Sequence, residues 1–370
     1  MEDMAVLLTK ELIRINSYNP PGNEKLCAAH LQGILRDEGF HTEIIDFGDN
    51  RCNLVAEIGS GDEGILLAGH LDVVPVNKKW KFDPLGAAEK DGRIYGRGSC
   101  DMKGGVAAMT AAAITCAREN MNRKRITLVF TGDEEVRNRG MRSLLKVRQF
   151  KAAAAIMGEP TELEMHLGNR GYASFTVSTE GKSCHAGNPD NGINAIYKMA
   201  DIIGRLRELS KKVTKKTHPL MGKASLNVGT VHGGTKINIV PDQCYCEVER
   251  RVLPGESEAK ITAEIKETAG LEANIKLESY FDACDISPGH SFVRALSEIV
   301  SEVTGEACRH SVFPAGTEAG FLTACGIPTV ILGPGSIRNA HKEDEFVPVS
   351  DIINGFHIYK KAIDRYTRSN

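Results

Sequence analysis

Two histidines and a set of carboxylates in this chain follow closely on apolar runs. His70 and Asp72 come after GILLAG, Asp133, Glu134 and Glu135 come after ITLVFT, and Glu159 comes after AAAAIM. His341 follows IPTVIL, and Asp101 lies in YGRGSCDMKGG just ahead of a helical pattern. Imidazole nitrogens mixed with carboxylate oxygens suit a pair of borderline divalent cations, zinc first. A carboxylate bridging two ions roughly 3.5–4 Å apart is the arrangement of two-metal hydrolases, which make a nucleophile from bound water. The water's proton needs a base. The adjacent Glu134 and Glu135 can divide the tasks, one ligating and the other shuttling protons.

Each of these residues has an ordinary explanation when taken alone. Asp101 would cap a helix N-terminus. Glu134 and Glu135 would favour a helix dipole. Glu159 would sit in a surface turn, His341 in a solvated loop, and His70 would be a hydrogen-bonded histidine after a buried strand. It is their joint placement that argues for a site. In open α/β sheets, ligands bind outside the carboxyl ends of the strands, and all of these residues but Asp101, which precedes a helix, follow strand-like runs.

The elements that must position them read as follows. Helical patterns cover Glu2–Ile15 and Glu24–Glu38, separated by the breaker run NPPGNE. TEIIDF, NLVAEIG and GILLAGH read as short apolar strands. A helix begins near Lys103 and runs through GGVAAMTAAAITCAREN. The strand ITLVFTG, a helix near Gly140–Val147 and the strand AAAAIM follow. Apolar strands between helices predict an α/β fold, a mostly parallel sheet with helices on both faces. From Tyr172 the rhythm becomes β-α-β-β-α-β, the split-βαβ pattern of a ferredoxin-like module. After about Ala283 the first rhythm resumes, with helices Ser291–Thr304, Glu318–Ala324 and Ile352–Tyr366 and the strand IPTVILG. The expected division is therefore 1–171 with 283–370 as one domain and 172–282 as an insertion.

Composition narrows the function class. The chain has 370 residues, is 41% hydrophobic and 25% charged, and carries a formal net charge of −2. That balance gives no global field for nucleic acid or an anionic membrane. No apolar stretch approaches the ~18 residues of a membrane span. The first residues read as a charged amphipathic helix without a secretory cleavage pattern. Ten scattered cysteines without a CxxC pair read as reduced, mostly buried thiols of a cytoplasmic protein.

GHLDVVP, GRGSCDMKGG, TGDEE, GEPT, CHAGNPDNGINAI and AHKEDEF occur in this order along the chain. The sequence thereby resembles the co-catalytic zinc family of acetylornithine deacetylases, succinyl-diaminopimelate desuccinylases, aminoacylases and glutamate carboxypeptidases. The resemblance implies two Zn2+, with Co2+ able to substitute. His70 and Glu159 would hold the first ion, and His341 and Glu135 the second. Asp101 would bridge them, and Glu134 would act as general base and then acid. The Asp72 carboxylate would hold the metal-bound His70 imidazole. His185 would stabilise the tetrahedral oxyanion. Asn238, Arg251 and Arg170 would grip the substrate carboxylate or acyl group, and the backbone at Gly316 and Thr317 would lie near the substrate. Glu318 is a candidate partner for a distal substrate ammonium. The family also implies a homodimer through the inserted domain, with His185 reaching the partner's metal site.

GTEAGF and LGPGSIRNAHKEDEF are most similar to acetylornithine deacetylases, so the first expectation is N-acetylornithine hydrolysed to ornithine and acetate. The departures are Ala315 and Gly316 before the threonine and Gly320 where those enzymes usually carry proline. They keep succinyl-diaminopimelate and dipeptide or carboxypeptidase substrates open. A non-catalytic metal-binding homologue would have lost a ligand or the base, and every such position is filled here.

Overall fold

The computed structural model describes residues 2–77, 79–119 and 124–368. The chain divides into two compact units. The first comprises Met1–Asn169, Asp285–Phe313 and Thr317–Asn370, and the second comprises Arg170–Cys284 and Pro314–Gly316.

The centre of the first unit is a mixed sheet. Its strands neighbour one another in the order His41–Gly48, Arg51–Ile58, Lys124–Thr131, Ser60–His70, Ala154–Met157, Thr329–Ile331 and Met165–Asn169. The Lys124–Thr131, Ser60–His70, Ala154–Met157 and Thr329–Ile331 strands pair in parallel, and the hairpin of the first two strands adds an antiparallel edge. The central runs are buried along nearly their whole length, as strands covered on both faces must be. This is the mostly parallel α/β sheet that the apolar runs predict.

The alanine-rich helix Gly104–Glu119 is buried on every side from Gly104 to Ala117. It packs against helices Glu2–Arg14 and Val349–Thr367 and against the sheet. Small side chains allow that close approach. At Gly105 a Cβ would stand 2.4 Å from the carbonyl oxygen of Gly158, the residue before Glu159. The structure also departs from the expected helix start. Ser99–Lys103 form an irregular turn in which Asp101 and Met102 are non-helical (φ −120°, ψ 90° and φ −133°, ψ 34°). Asp101 therefore does not cap the helix, which begins three residues later. The predicted end of that helix at Asn120 lies outside the described residues.

Register brings the polar ends together. His70 pairs with Thr131, and Ala68 pairs with both Val129 and Met157. The chain after each strand thus leaves the same edge of the sheet: Asp72, then Asp133–Glu135, then Glu159. Ile331 pairs with Met157, so the loop carrying His341 departs from that edge too.

The second unit is a four-stranded antiparallel sheet in the order Ser225–Gly233, Gln243–Val252, Gly171–Glu180, Ala273–Phe281. Helices Ala195–Val213 and Glu258–Ala269 complete a β-α-β-β-α-β order. Along Gly171–Glu180 and Gln243–Val252 buried residues alternate with more exposed ones, as expected for a sheet covered on one face. Pro314–Gly316 belong to this unit although the sequence reading placed them in the other domain. Gly316 lies over Phe281, where a Cβ would stand 3.2 Å from the ring. No disulfide joins any of the ten cysteines. Among the described residues no helix is long and apolar enough to cross a membrane.

Candidate metal centre

His70, Asp101, Glu159, Glu135 and His341 converge in the first unit as two triads that share Asp101. One is His70, Asp101 and Glu159, and the other is Asp101, Glu135 and His341. Within each triad the candidate ligand atoms lie within 4.8 Å of one another. The two oxygens of Asp101 are divided between the histidines. Oδ1 is 3.2 Å from His70 Nε2, and Oδ2 is 3.4 Å from His341 Nε2. Glu159 Oε2 is 3.9 Å from His70 Nε2, and Glu135 Oε2 is 3.0 Å from His341 Nε2.

The electrostatics show what this set lacks. Burial drives Glu134 and Glu159 well above the usual carboxylate range, and the charges of neighbouring carboxylates add to it. Burial and Asp101 push Glu135 up to about 7. Hydrogen bonds to Asp101 and Glu135 push His341 up to about 10. Burial by itself would lower His70, but its hydrogen bond to Asp101 and the charges of Glu159 and Glu134 raise it well above the ordinary histidine value. Burial would raise Asp101, and its bonds to His341 and His70 reverse that and lower it. The cluster is short of positive charge and draws protons to make it up. When ionised, the four carboxylates Asp101, Glu134, Glu135 and Glu159 would carry a charge that two divalent cations could neutralise. Nitrogen and oxygen donors in two triads fit such ions.

Asp72 is placed differently from the role expected of it. His70 Nδ1 is hydrogen-bonded to the Asp72 main-chain oxygen at 2.9 Å, whereas the Asp72 Oδ1 is 3.8 Å away. The carbonyl, not the carboxylate, orients the ring and leaves Nε2 facing Asp101. The carboxylate instead accepts the main-chain N–H groups of Glu134 (to Oδ1, 3.1 Å) and Glu135 (to Oδ2, 3.1 Å). A fully buried Asp72 thus holds the turn that carries both glutamates.

That turn has further supports that the sequence reading missed. Asn19 Nδ2 donates to Asp72 Oδ2 at 2.8 Å and to Asp133 Oδ1 at 3.0 Å. Arg51 bridges Glu24 and Asp133, and Glu24 Oε1 accepts the Asp133 N–H. Asp133 itself has φ 66°, a left-handed conformation that aspartate tolerates better than most residues. The run NPPGNE reads from sequence only as a chain break. Its first residue, Asn19, and its last, Glu24, find partners 27 to 114 residues away.

Glu318 also needs correcting. It is completely buried, its Oε2 accepts from the Thr131 hydroxyl at 2.5 Å, and its Oε1 has no hydrogen-bond partner. Burial pushes it up to about 8, so at pH 7 it is mostly neutral and offers no charge to a substrate ammonium. Thr317 is buried as well. Its hydroxyl donates to Asn169 Oδ1 at 3.1 Å and accepts the Ala319 N–H.

The other expected substrate residues lie in the second unit. His185 is exposed, and its Nδ1 accepts the Gly187 N–H at 3.0 Å. Asn238 is exposed, and its main-chain oxygen accepts the Ala186 N–H, which brings the two loops side by side. Arg251 donates to Glu249 at 2.7 Å and lies over the Tyr172 ring. Arg170 donates to the Lys223 carbonyl at 3.4 Å.

A family model described as peptidase family M20/M25/M40 matches residues 66–365. The chain belongs to this family. Among curated relatives, an acetylornithine deacetylase of Vibrio parahaemolyticus is 33% identical over 369 residues, 95% of each chain. One of Myxococcus xanthus is 32% identical over 91% of each. An M20 metallo-carboxypeptidase of Sulfolobus solfataricus has a TM-score of 0.79 at 20% identity, covering 98% of this chain and 99% of its own. A Bacillus subtilis M20 protein described as a dinuclear metal-binding peptidase has a TM-score of 0.70 at 16% identity, covering 99% and 98%. This M20 chain is thus a hydrolase of the metallopeptidase type acting on small amides.

Proposed function

We propose that the chain is a deacylase of N-acyl amino acids, with N-acetylornithine as its first substrate, and that it works with two zinc ions for which cobalt substitutes. The observation that supports it most is Asp101, whose two oxygens are shared between His70 and His341 beside a buried Glu134. When bound, the ions would polarise the scissile carbonyl and acidify a water.

The residues of the chain supply the rest. Glu134 is the general base and then the acid. Burial, with the charges of Glu159 and Glu135 added, holds its proton affinity high, and cations in the two triads would bring it down toward the working pH. The Asp72 carboxylate keeps the main chain of Glu134 and Glu135 in place while the proton moves. With Nδ1 accepting from Gly187, the His185 ring presents Nε2–H as its donor, which suits an oxyanion. One such donor is worth about 3–4 kcal/mol of transition-state stabilisation. Asn238, Arg251, Arg170 and the backbone at Gly316 and Thr317 serve the acyl and carboxylate ends of the substrate.

The acetylornithine reading draws on the relatives' names together with GTEAGF and LGPGSI. Ala315, Gly316 and Gly320 are the departures that make a competition assay decisive. We also propose a homodimer through the second unit. Ser225–Gly233 is an edge strand, and the exposed Ile196, Tyr197, Ile237 and Ile239 line a groove of about 1010 Å³. Pairing with a second copy is one way to cover an open edge beside apolar surface.

The test is a panel of N-acetylornithine, N-succinyl-diaminopimelate and a dipeptide, run on chelated protein and again after zinc or cobalt is restored. Metal-dependent turnover with the highest kcat/KM for N-acetylornithine is expected. A dipeptide or the succinyl amide turned over faster overturns the substrate assignment, and no metal-dependent hydrolysis overturns the whole reading. Glu134→Gln is expected to keep both ions while turnover falls by at least ~10²–10⁴-fold. Near-normal kcat in the loaded variant rules out the base.

A further inference from the structure

The loop that carries His341 ends in a carboxylate that reaches the other metal-bearing turn. Glu345 is 1% exposed. Its Oε2 accepts from Arg97 Nη1 at 2.5 Å and from the Gly98 N–H at 3.1 Å. Its Oε1 accepts the N–H groups of Cys100 at 3.0 Å and of Asp101 at 3.2 Å. One side chain therefore takes up three N–H groups of the turn that presents Asp101, that of Asp101 among them. The main-chain oxygen of Glu345 adds another link, accepting the Gly96 N–H at 2.9 Å.

The turn satisfies only part of its main chain by itself. The N–H groups of Ser99, Lys103 and Gly104 bond to the carbonyls of Gly96, Gly98 and Ser99, whereas those of Cys100 and the non-helical Asp101 go to Glu345. Buried amides without partners cost about 1–3 kcal/mol each, and a carboxylate in a nest of main-chain N–H groups satisfies several together. Gly98, with φ +83°, lets the chain fold round the carboxylate, and a Cβ there would stand 2.5 Å from Val73 Cγ1. On the far side, Lys103 Nζ, completely buried, donates to the carbonyls of Leu12 and Ile15 at the end of the first helix. Lys103 ties the turn to the helix layer. Glu345 ties it to the His341 loop, which Asp344 also anchors by accepting the N–H groups of Lys81 and Phe82.

We infer that Glu345 is a positioning residue that fixes the Asp101 main chain, so that this carboxylate turns one oxygen to each triad. The inference rests on the two-ion reading above. It is specific about what fails when Glu345 is altered. Because Asp101 is common to both triads, both ions lose affinity together. A loop that merely shifted His341 would weaken the His341 triad alone.

The experiment is a cobalt(II) titration of metal-free protein, followed by calorimetry and by visible absorption of the bound ions, on wild type, Glu345→Gln and Arg97→Lys. Glutamine turns an NH2 group toward N–H donors, so part of the nest is lost without a change of size. Arg97→Lys leaves the carboxylate and the nest in place and removes one fork of the guanidinium. Two ions should bind wild type. In Glu345→Gln both affinities should fall at least tenfold, with a smaller fall of the same pattern in Arg97→Lys. Thermal unfolding of the metal-free proteins shows which variants are folded. If Glu345→Gln does not fold, Arg97→Lys decides. A folded variant that binds two ions with wild-type affinities, or that loses only one, overturns the inference. A wild type that binds no pair of ions instead overturns the two-ion reading on which it rests.

Discussion

Replacing Asp72 by asparagine separates its two roles. The main-chain oxygen that orients His70 is untouched, while the side chain keeps its size and loses one acceptor. If the amide nitrogen takes the place of Oδ1, it faces the Glu134 N–H. If it takes the place of Oδ2, it faces both the Glu135 N–H and Asn19. One or two buried donors are then left without an acceptor, at about 1–3 kcal/mol each, so stability should fall by roughly 2–4 kcal/mol. For a domain of the first unit's size about 2–4 °C accompanies each kcal/mol, which gives a drop in Tm of roughly 5–15 °C. The loosened turn carries Glu134 and Glu135, so kcat and the affinity of the Glu135–His341 triad should fall together. The His70–Glu159 triad should keep its ion. Calorimetric unfolding of metal-free protein and a zinc titration of the same sample give both numbers. An unchanged Tm with both ions bound as in wild type would refute the view that this carboxylate holds the turn.

Three further outcomes can be checked. Ion binding at the Glu135–His341 triad requires a neutral imidazole and an ionised carboxylate. His341 is held at about 10 and Glu135 at about 7 without metal, so at pH 7 binding should release about one proton from the first and about half of one from the second. Calorimetry in buffers of different ionisation enthalpy measures that release, and affinity should climb with pH from 6 to 8; binding with no proton release contradicts the assignment. Glu318 is raised from 4.5 in the unfolded chain to about 8 in the fold, so the native state binds the extra proton between those values and its stability falls as pH rises across them. Glu318→Gln cannot lose stability this way, so in metal-free protein its advantage over wild type should grow by roughly 4 kcal/mol from pH 4.5 to 8; parallel stability curves for the two proteins count against a neutral buried Glu318. Mixing His185→Ala with Glu134→Ala chains under exchange conditions should restore activity as heterodimers form, because one site then takes Glu134 from one chain and His185 from the other. Heterodimers that form and stay inactive place His185 in another role.

The sequence by itself determined a good deal. Continuous apolar runs such as GILLAG and AAAAIM are strands buried on both faces, because alternation would have left one face wet, and the sheet is parallel where they lie. Alternation in YASFTVSTE and QCYCEVERRV marks the one-sided sheet of the second unit for the same reason. His70, Asp101, Glu135, Glu159 and His341 were legible as one cluster because each follows a strand or precedes a helix at the same edge. The tertiary structure decided the rest. Asp101 reads as a helix cap from its neighbours, yet the turn around it is non-helical and its N–H goes to Glu345, 244 residues on. Asp72 reads as the carboxylate of His70, but register places the Glu134 and Glu135 amides against it, and a buried carboxylate goes to the donors that lack other partners. Glu318 reads as a candidate partner for a substrate ammonium, and packing buries it against Thr131. A side chain's type and its local spacing are written in the sequence. Which distant donor or acceptor it meets depends on how the strands register and the loops pack, and that pairing sets its charge and its task.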